Sequence, residues 1–187
     1  EPEWFNAPVP SFGNENAELL IVGLAPGRTG ANKTGRPFTG DWAGGLLYAT
    51  LDKFGFSEGE YQARPDDGLQ LKGAMITNAV RCVPPQNRPS ATEINSCRPF
   101  LTAAIARMNR LGVIGTLGRI SHDSTIRALG GNLSEHPFGH GNRTRIGNIA
   151  IIASYHCSRY NVNTGRLTPE MFSLVFAEAA NLLARDR

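Results

Sequence analysis

The sequence predicts an α/β fold, a single three-layer α/β/α domain spanning residues 1–187 on a small central parallel sheet. Three observations carry this. Short apolar runs alternate with helical stretches from Leu19 onward, an order that sets parallel strands at the centre and helices on both faces. No repeat, low-complexity tract or linker interrupts the alternation. With 187 residues and 41% hydrophobic content, the chain is the size of one ordinary domain that buries a real core.

The first strand is the apolar run Leu19 to Gly23. After a long loop, Asp41 caps a helix through "GGLLYATLDKFG", because an aspartate accepts from the free N–H groups of a first turn. "GAMITNAV" is the second strand and "VPPQNRPS" a loop. Ser90 with Glu93 forms a capping box opening a helix across "EINSCRPFLTAAIARM", which Pro99 is placed to kink or split. "GVIGTLG" is the third strand, followed by a short helix, "RISHDSTIRAL", that ends on Gly130 and Gly131. "NIAIIASY" is the fourth strand, and the last helix takes Thr168 as cap with Pro169 in its first turn.

Several classes are disfavoured. No window approaches the roughly eighteen apolar residues of a membrane span, and "EPEWFNAPVPSFG" lacks the basic and apolar regions of a secretory signal. The expectation is a cytoplasmic monomer without membrane association. The chain opens on Glu1 rather than Met, so an upstream segment is expected. Cys82, Cys97 and Cys157 make an odd count, pointing to reduced thiols, a metal site or core packing rather than disulfides. The net charge of +3 is uninformative, but Arg28, Lys33 and Arg36 share an acid-free loop, and Arg143, Arg145, Arg159 and Arg166 face only Glu135 between residues 131 and 168. Two such loops suit a polyanion such as a nucleic-acid backbone, and a solvated surface equally.

In parallel sheets ligands bind at the carboxyl ends of the strands. Three unusual segments meet there: "GLAPGRTGANKTGRPFTGD", "TNAVRC" and "SYHCSRYN". The first is one residue away from a phosphate-binding G-x-x-x-x-G-K-T loop. Asn32 stands where the second glycine belongs, and "GRPFTG" opposes the helix that the Lys-Thr pair must open. A nucleotide hydrolase is therefore disfavoured. A loop this long is more often functional than accidental. Taken singly, Phe38 reads as core, Asp41 as a cap, His156 as a structural histidine and Asn78 as a turn former. Together an aromatic face, a carboxylate, an imidazole and an amide are what holding a planar heterocycle and cutting its bond to a sugar requires.

These blocks, with "AVRCVPPQNRPS" and "HPFGHG", resemble the uracil-DNA glycosylase superfamily, and most closely its family 5, the UDGb type, over nearly the whole chain. The resemblance implies a monofunctional enzyme that hydrolyses the N-glycosidic bond of uracil, and of other deaminated bases such as hypoxanthine and xanthine, in DNA. Such an enzyme leaves an abasic site for base excision repair. By the same resemblance Gly23, Ala25 and Phe38 form the base pocket, Phe38 stacks on the flipped base and Asn78 reads its Watson-Crick edge. Asp41 positions the attacking water and steadies the sugar cation, and His156 donates to the departing base. Leu24 and Ala25 stand where related families carry a polar residue, which leaves the acid-base work to Asp41. Arg159, Tyr160 and Asn161 are candidates for holding the DNA.

Family 5 proteins carry a 4Fe-4S cluster on four cysteines. Cys82 and Cys97, with fourteen residues between them, are similar to the second pair, and two thiolates alone cannot hold such a cluster. The first pair is expected upstream of Glu1, and Cys157 is not expected to substitute for it. The resemblance assigns the cluster a structural part, so no metal is needed for catalysis. The rival readings are a lesion-binding protein that does not cut and, behind it, the nucleotide hydrolase.

Overall fold

The computed structural model describes residues 1–185. Its centre is a six-stranded sheet whose strands lie in the order β1 (Phe12–Gly13), β5 (Ala74–Asn78), β2 (Leu19–Gly23), β6 (Val113–Leu117), β8 (Ile149–Ser154) and β7 (Arg143–Ile146). The four inner strands, β5, β2, β6 and β8, are mutually parallel. Each is apolar along almost its whole length because both faces are covered. The register sorts the side chains by parity. Met75, Leu20, Ile114 and Ile151 align across the strands and pack with Leu101, Ile105 and Ile126. Those partners come from α3 (Ala91–Arg107) and α4 (Arg119–Ala128). One residue along, Ile76, Ile21 and Ile152 face the opposite layer, α2 (Trp42–Lys53) and α6 (Pro169–Arg185), through Leu47, Leu51, Phe172 and Phe176.

The helix starts follow side-chain chemistry. Asp41 accepts from the Gly44 N–H at 3.1 Å. Ser90 and Glu93 make the reciprocal capping box, and Thr168 Oγ1 accepts from the Met171 N–H at 3.1 Å. Pro99 does not split α3. It is exposed, so the carbonyl its ring leaves without an N–H partner faces water.

Some elements carry no apolar signal in the sequence. The antiparallel edges β1 (Phe12–Gly13) and β7 (Arg143–Ile146) are short or polar, as are the small hairpin β3 (Ser57–Glu58) with β4 (Gln70–Leu71) and the helical turns α1 (Ala31–Thr34) and α5 (Arg159–Asn163). No helix among the described residues is long and apolar enough to cross a membrane.

From β2 the chain passes outward to β5, then back across to β6. Connections leaving a strand in opposite directions open a crevice at its carboxyl end. Gly23 and Asn78 are register partners at that rim, as are Leu117 and Ser154.

Candidate active site

A cavity of about 200 Å³ opens at this rim, lined among others by Leu24, Ala25, Phe38, Asp41, Asn78 and His156. It has room for one heterocyclic base and little more. The structure therefore brings Phe38, Asp41, Asn78, His156 and Ala25 together from three separate segments, and Gly23 forms the wall behind them. A Cβ on Gly23 would stand 2.4 Å from Asn78 Oδ1 and 2.6 Å from the Phe38 ring. Only a bare backbone lets both side chains reach the same spot.

Phe38 is buried, 6% exposed, at φ +54°, a left-handed conformation that costs a non-glycine residue roughly 1–2 kcal/mol. Hydrogen bonds offset the strain. Tyr61 Oη donates to the Phe38 carbonyl at 3.0 Å, and Tyr48 Oη to the Pro37 carbonyl at 2.7 Å. The Phe38 carbonyl also lies where a side chain on Gly44 would have to go, so a glycine in the first turn of α2 is what lets this loop lie flat on the helix.

Asp41 caps a helix and also borders the cavity. Oδ1 caps α2, while Oδ2 lies over Gly27 and Gly30 beside the cavity. Burial pushes its carboxyl above the ordinary value, against the N–H groups of Gly44 and Ala43, which draw it down. His156 follows β8, its ring stacked against Phe38 with centroids 5.9 Å apart and planes 25° from parallel. Burial lowers the imidazole to about 4, so it is neutral at pH 7, a hydrogen-bond donor rather than a cation. Asn78 is 6% exposed, and its Oδ1 is buried with no partner among the described residues. Such an orphan is costly unless a ligand N–H meets it.

Beside this pocket runs a larger groove of about 400 Å³ that shares Leu24 and His156 with it. Arg119 lies 5.2 Å over the Phe138 ring and Arg166 lies 4.6 Å over Tyr155. His140 stacks on Tyr155 and accepts the Tyr155 N–H at 3.1 Å, tying the "HPFGHG" loop to the histidine loop. Asn161 lines this groove, but its Nδ2 donates to the His156 carbonyl at 2.8 Å, so it braces the loop. Arg159 and Tyr160 stand exposed on α5, Tyr160 at 73%.

Sequence reasoning missed Asn87, which lines the smaller cavity, and Arg119 and Phe138 in the groove. A lone arginine at a helix start gives no pattern to read. It also overcounted one basic loop. Arg36 is only 5% exposed and paired with Asp67, so it offers nothing to a polyanion. The phosphate-loop alternative fails on geometry: Lys33 and Thr34 end a four-residue turn, and Lys33 Nζ sits 5.7 Å over the Trp4 ring.

Cys82 is exposed after β5 and Cys97 partly buried in α3, while Cys157 is buried with Sγ 3.7 Å from the Ala43 carbonyl. Burial pushes the Cys157 thiol well above its ordinary value. Among the described residues no group of three or more His, Cys, Asp or Glu side chains could hold a metal ion.

The cavity thus lies at the carboxyl rim of the parallel strands, where α/β enzymes bind their ligands, and a carboxylate, a neutral imidazole and an orphan amide oxygen meet there. The family model described as the uracil DNA glycosylase superfamily matches residues 10–180, and the chain belongs to that superfamily. A Type-5 uracil-DNA glycosylase of Thermus thermophilus is 43% identical over 183 residues, 97% of this chain and 83% of that protein. A Type-5 uracil-DNA glycosylase of Pyrobaculum aerophilum is 38% identical, over 95% of this chain and 77% of its own. A Type-4 uracil-DNA glycosylase of Sulfurisphaera tokodaii is 32% identical over 89% of this chain and 72% of its own.

Proposed function

We propose that the protein is a monofunctional uracil-DNA glycosylase that flips the damaged nucleotide out of DNA and hydrolyses its N-glycosidic bond. The observation that carries this reading is the convergence of Phe38, Asn78, Asp41 and His156 on one base-sized cavity. A base inside a duplex is out of reach, so extrusion costs a few kcal/mol, recovered by stacking and hydrogen bonds in the pocket. Phe38 supplies the stacking face. The Asn78 amide pairs an acceptor with a donor, matching the ring N–H and adjacent carbonyl that uracil presents. Hypoxanthine and xanthine present the same edge, which extends the proposed range to these deaminated bases.

The C1′–N1 bond breaks with its electron pair leaving on the base, and His156 donates a hydrogen bond to the base oxygen where that charge gathers. The ionised Asp41 stabilises the cationic sugar, as carboxylates do in glycoside hydrolysis. It then orients a water toward C1′ and takes its proton. The products are a free base and an abasic site. No metal enters these steps.

The neighbouring groove is the proposed track for the DNA strand, with Arg119 and Arg166 held by aromatic rings for phosphate or base contact. Arg159 and Tyr160 are proposed contacts at its lip.

Cys82 and Cys97 are proposed as two ligands of a structural 4Fe-4S cluster. The Nε atoms of their neighbours Arg81 and Arg98 are buried without a partner, which a nearby anionic cluster would relieve. Two further thiolates are needed.

Asp41→Asn tests the assignment. Uracil excision should fall about 1,000-fold or more while uracil-containing DNA is still bound. Excision at the wild-type rate would refute the role of Asp41.

A further inference from the structure

The loop that presents Phe38 and Asp41 is held from behind by a buried charge pair that never meets the cavity. Asp67, on the connection between β3 and β4, has a side chain 0% exposed, and that of Arg36 is 6% exposed. Arg36 Nη1 and Nη2 donate to the two Asp67 oxygens at 2.7 Å each, and Nε donates to Thr39 Oγ1 at 2.7 Å. The same carboxylate accepts the Gln62 N–H at 3.1 Å and the Leu69 N–H at 3.0 Å. The guanidinium lies 5.0 Å from the Phe12 ring centroid, 5.5 Å from that of Tyr48 and 5.9 Å from that of Tyr61. Tyr48 and Tyr61 stack with centroids 4.5 Å apart. Their hydroxyls reach the carbonyls of Pro37 and Phe38. Every residue of the Pro37-Phe38-Thr39 run is thus tied to this cage.

A buried ion pair is weak evidence for stability, since apolar packing of the same volume often does as well. What a bidentate, fully hydrogen-bonded pair supplies is one fixed geometry. Here Arg36 stands two residues before the strained Phe38 and five before Asp41, the residue that caps α2. A misplacement of about 1 Å at reacting groups lowers rates about 100-fold.

We propose that Arg36 and Asp67, acting through Tyr61 and Tyr48, are positioning residues for base excision: they set the tilt of the Phe38 ring and the place of the Asp41 carboxylate. The β3–β4 hairpin then belongs to the active-site apparatus. The inference rests on the roles given above to Phe38 and Asp41.

The test is single-turnover uracil excision, with kcat and KM, by the full chain carrying Tyr61→Phe or Asp67→Asn, beside Phe38→Ala and Asp41→Asn. Tyr61→Phe keeps the ring and its stacking and deletes one hydrogen bond, so it decides the matter even if Asp67→Asn fails to fold. The expected result is a rate about tenfold lower for Tyr61→Phe and about 100-fold lower for Asp67→Asn, with KM within about twofold of wild type. The acid limb of the rate profile should also move toward the ordinary carboxylate value as Asp41 gains solvent, which a loss of folded protein alone would not produce. Folded Tyr61→Phe protein with the wild-type rate and an unmoved acid limb overturns the proposal, as does a loss that only tracks the unfolded fraction. If Phe38→Ala and Asp41→Asn also keep the wild-type rate, the reading of the site has failed rather than this inference alone.

Discussion

The rings of Phe38 and His156 lie nearly parallel with centroids 5.9 Å apart, which is too close to admit a base between them. Two stacked gaps of roughly 3.5 Å each need about 7 Å. On the proposed reading the base stacks on Phe38 and meets His156 at its edge, or the imidazole yields on entry. The loop backbone is held by Asn161, so any yielding falls to the side chain. His156 NMR resonances should shift strongly on adding uracil or abasic-site DNA and little on adding undamaged DNA. Equal shifts with both would contradict edge contact with the base.

In the proposed mechanism, replacing His156 by Ala removes the donor to the departing base. Single-turnover excision should fall about 100- to 1,000-fold, with DNA affinity within a few-fold of wild type. His156→Gln, which keeps an N–H, should recover part of the loss.

The pH dependence follows from two partly buried groups. Asp41 must be ionised to act, and burial places its titration above the usual carboxylate value. The rate should climb with pH through that raised value and then level. His156 is already neutral above about 4, so no descending limb is expected near 6.5. A fall in rate between pH 6 and 8 would show that an imidazolium is the donor.

Stability should respond with the opposite sign at Asp41. Its folded form holds the proton more tightly than the unfolded form, so ionisation disfavours folding above the raised value and has no effect well below the ordinary one. Asp41→Asn, which keeps a capping oxygen, should raise Tm at pH 7 by a few degrees. The gain should vanish well below the ordinary carboxylate value of 3.8. For His156 the depressed value means that stability is full above its ordinary 6.5 and declines as pH falls toward about 4.

Gly23→Ala places a methyl group on Asn78 Oδ1 and the Phe38 ring. Excision should drop about 100-fold or more, at a stability cost of roughly 1–3 kcal/mol for overpacking. Normal excision by the folded variant would mean that the base does not occupy the space between these two side chains.

The inner strands and the main helices were legible because apolar runs and capping residues are local signals. The Ser90–Glu93 box and the Asp41 cap stand where their residue types demand. The cluster of Phe38, Asp41, Asn78 and His156 was legible through the motifs at strand ends. What could not be read is pairing over distance. Nothing in "GRPFTGD" shows that Arg36 is withdrawn from the surface, because its partner Asp67 lies 31 residues on, in a segment without apolar periodicity. Arg119 and Phe138 likewise meet only when the loops after β6 and before β7 fold together.

Hydrolysis of a base from DNA without a metal is tested most directly with a labelled oligonucleotide carrying one uracil, incubated with the protein in EDTA and then treated with alkali. Strand breakage is expected at the uracil position alone, at the same rate with and without the chelator. Breakage abolished by EDTA, or intact DNA from folded, DNA-binding protein, would contradict it.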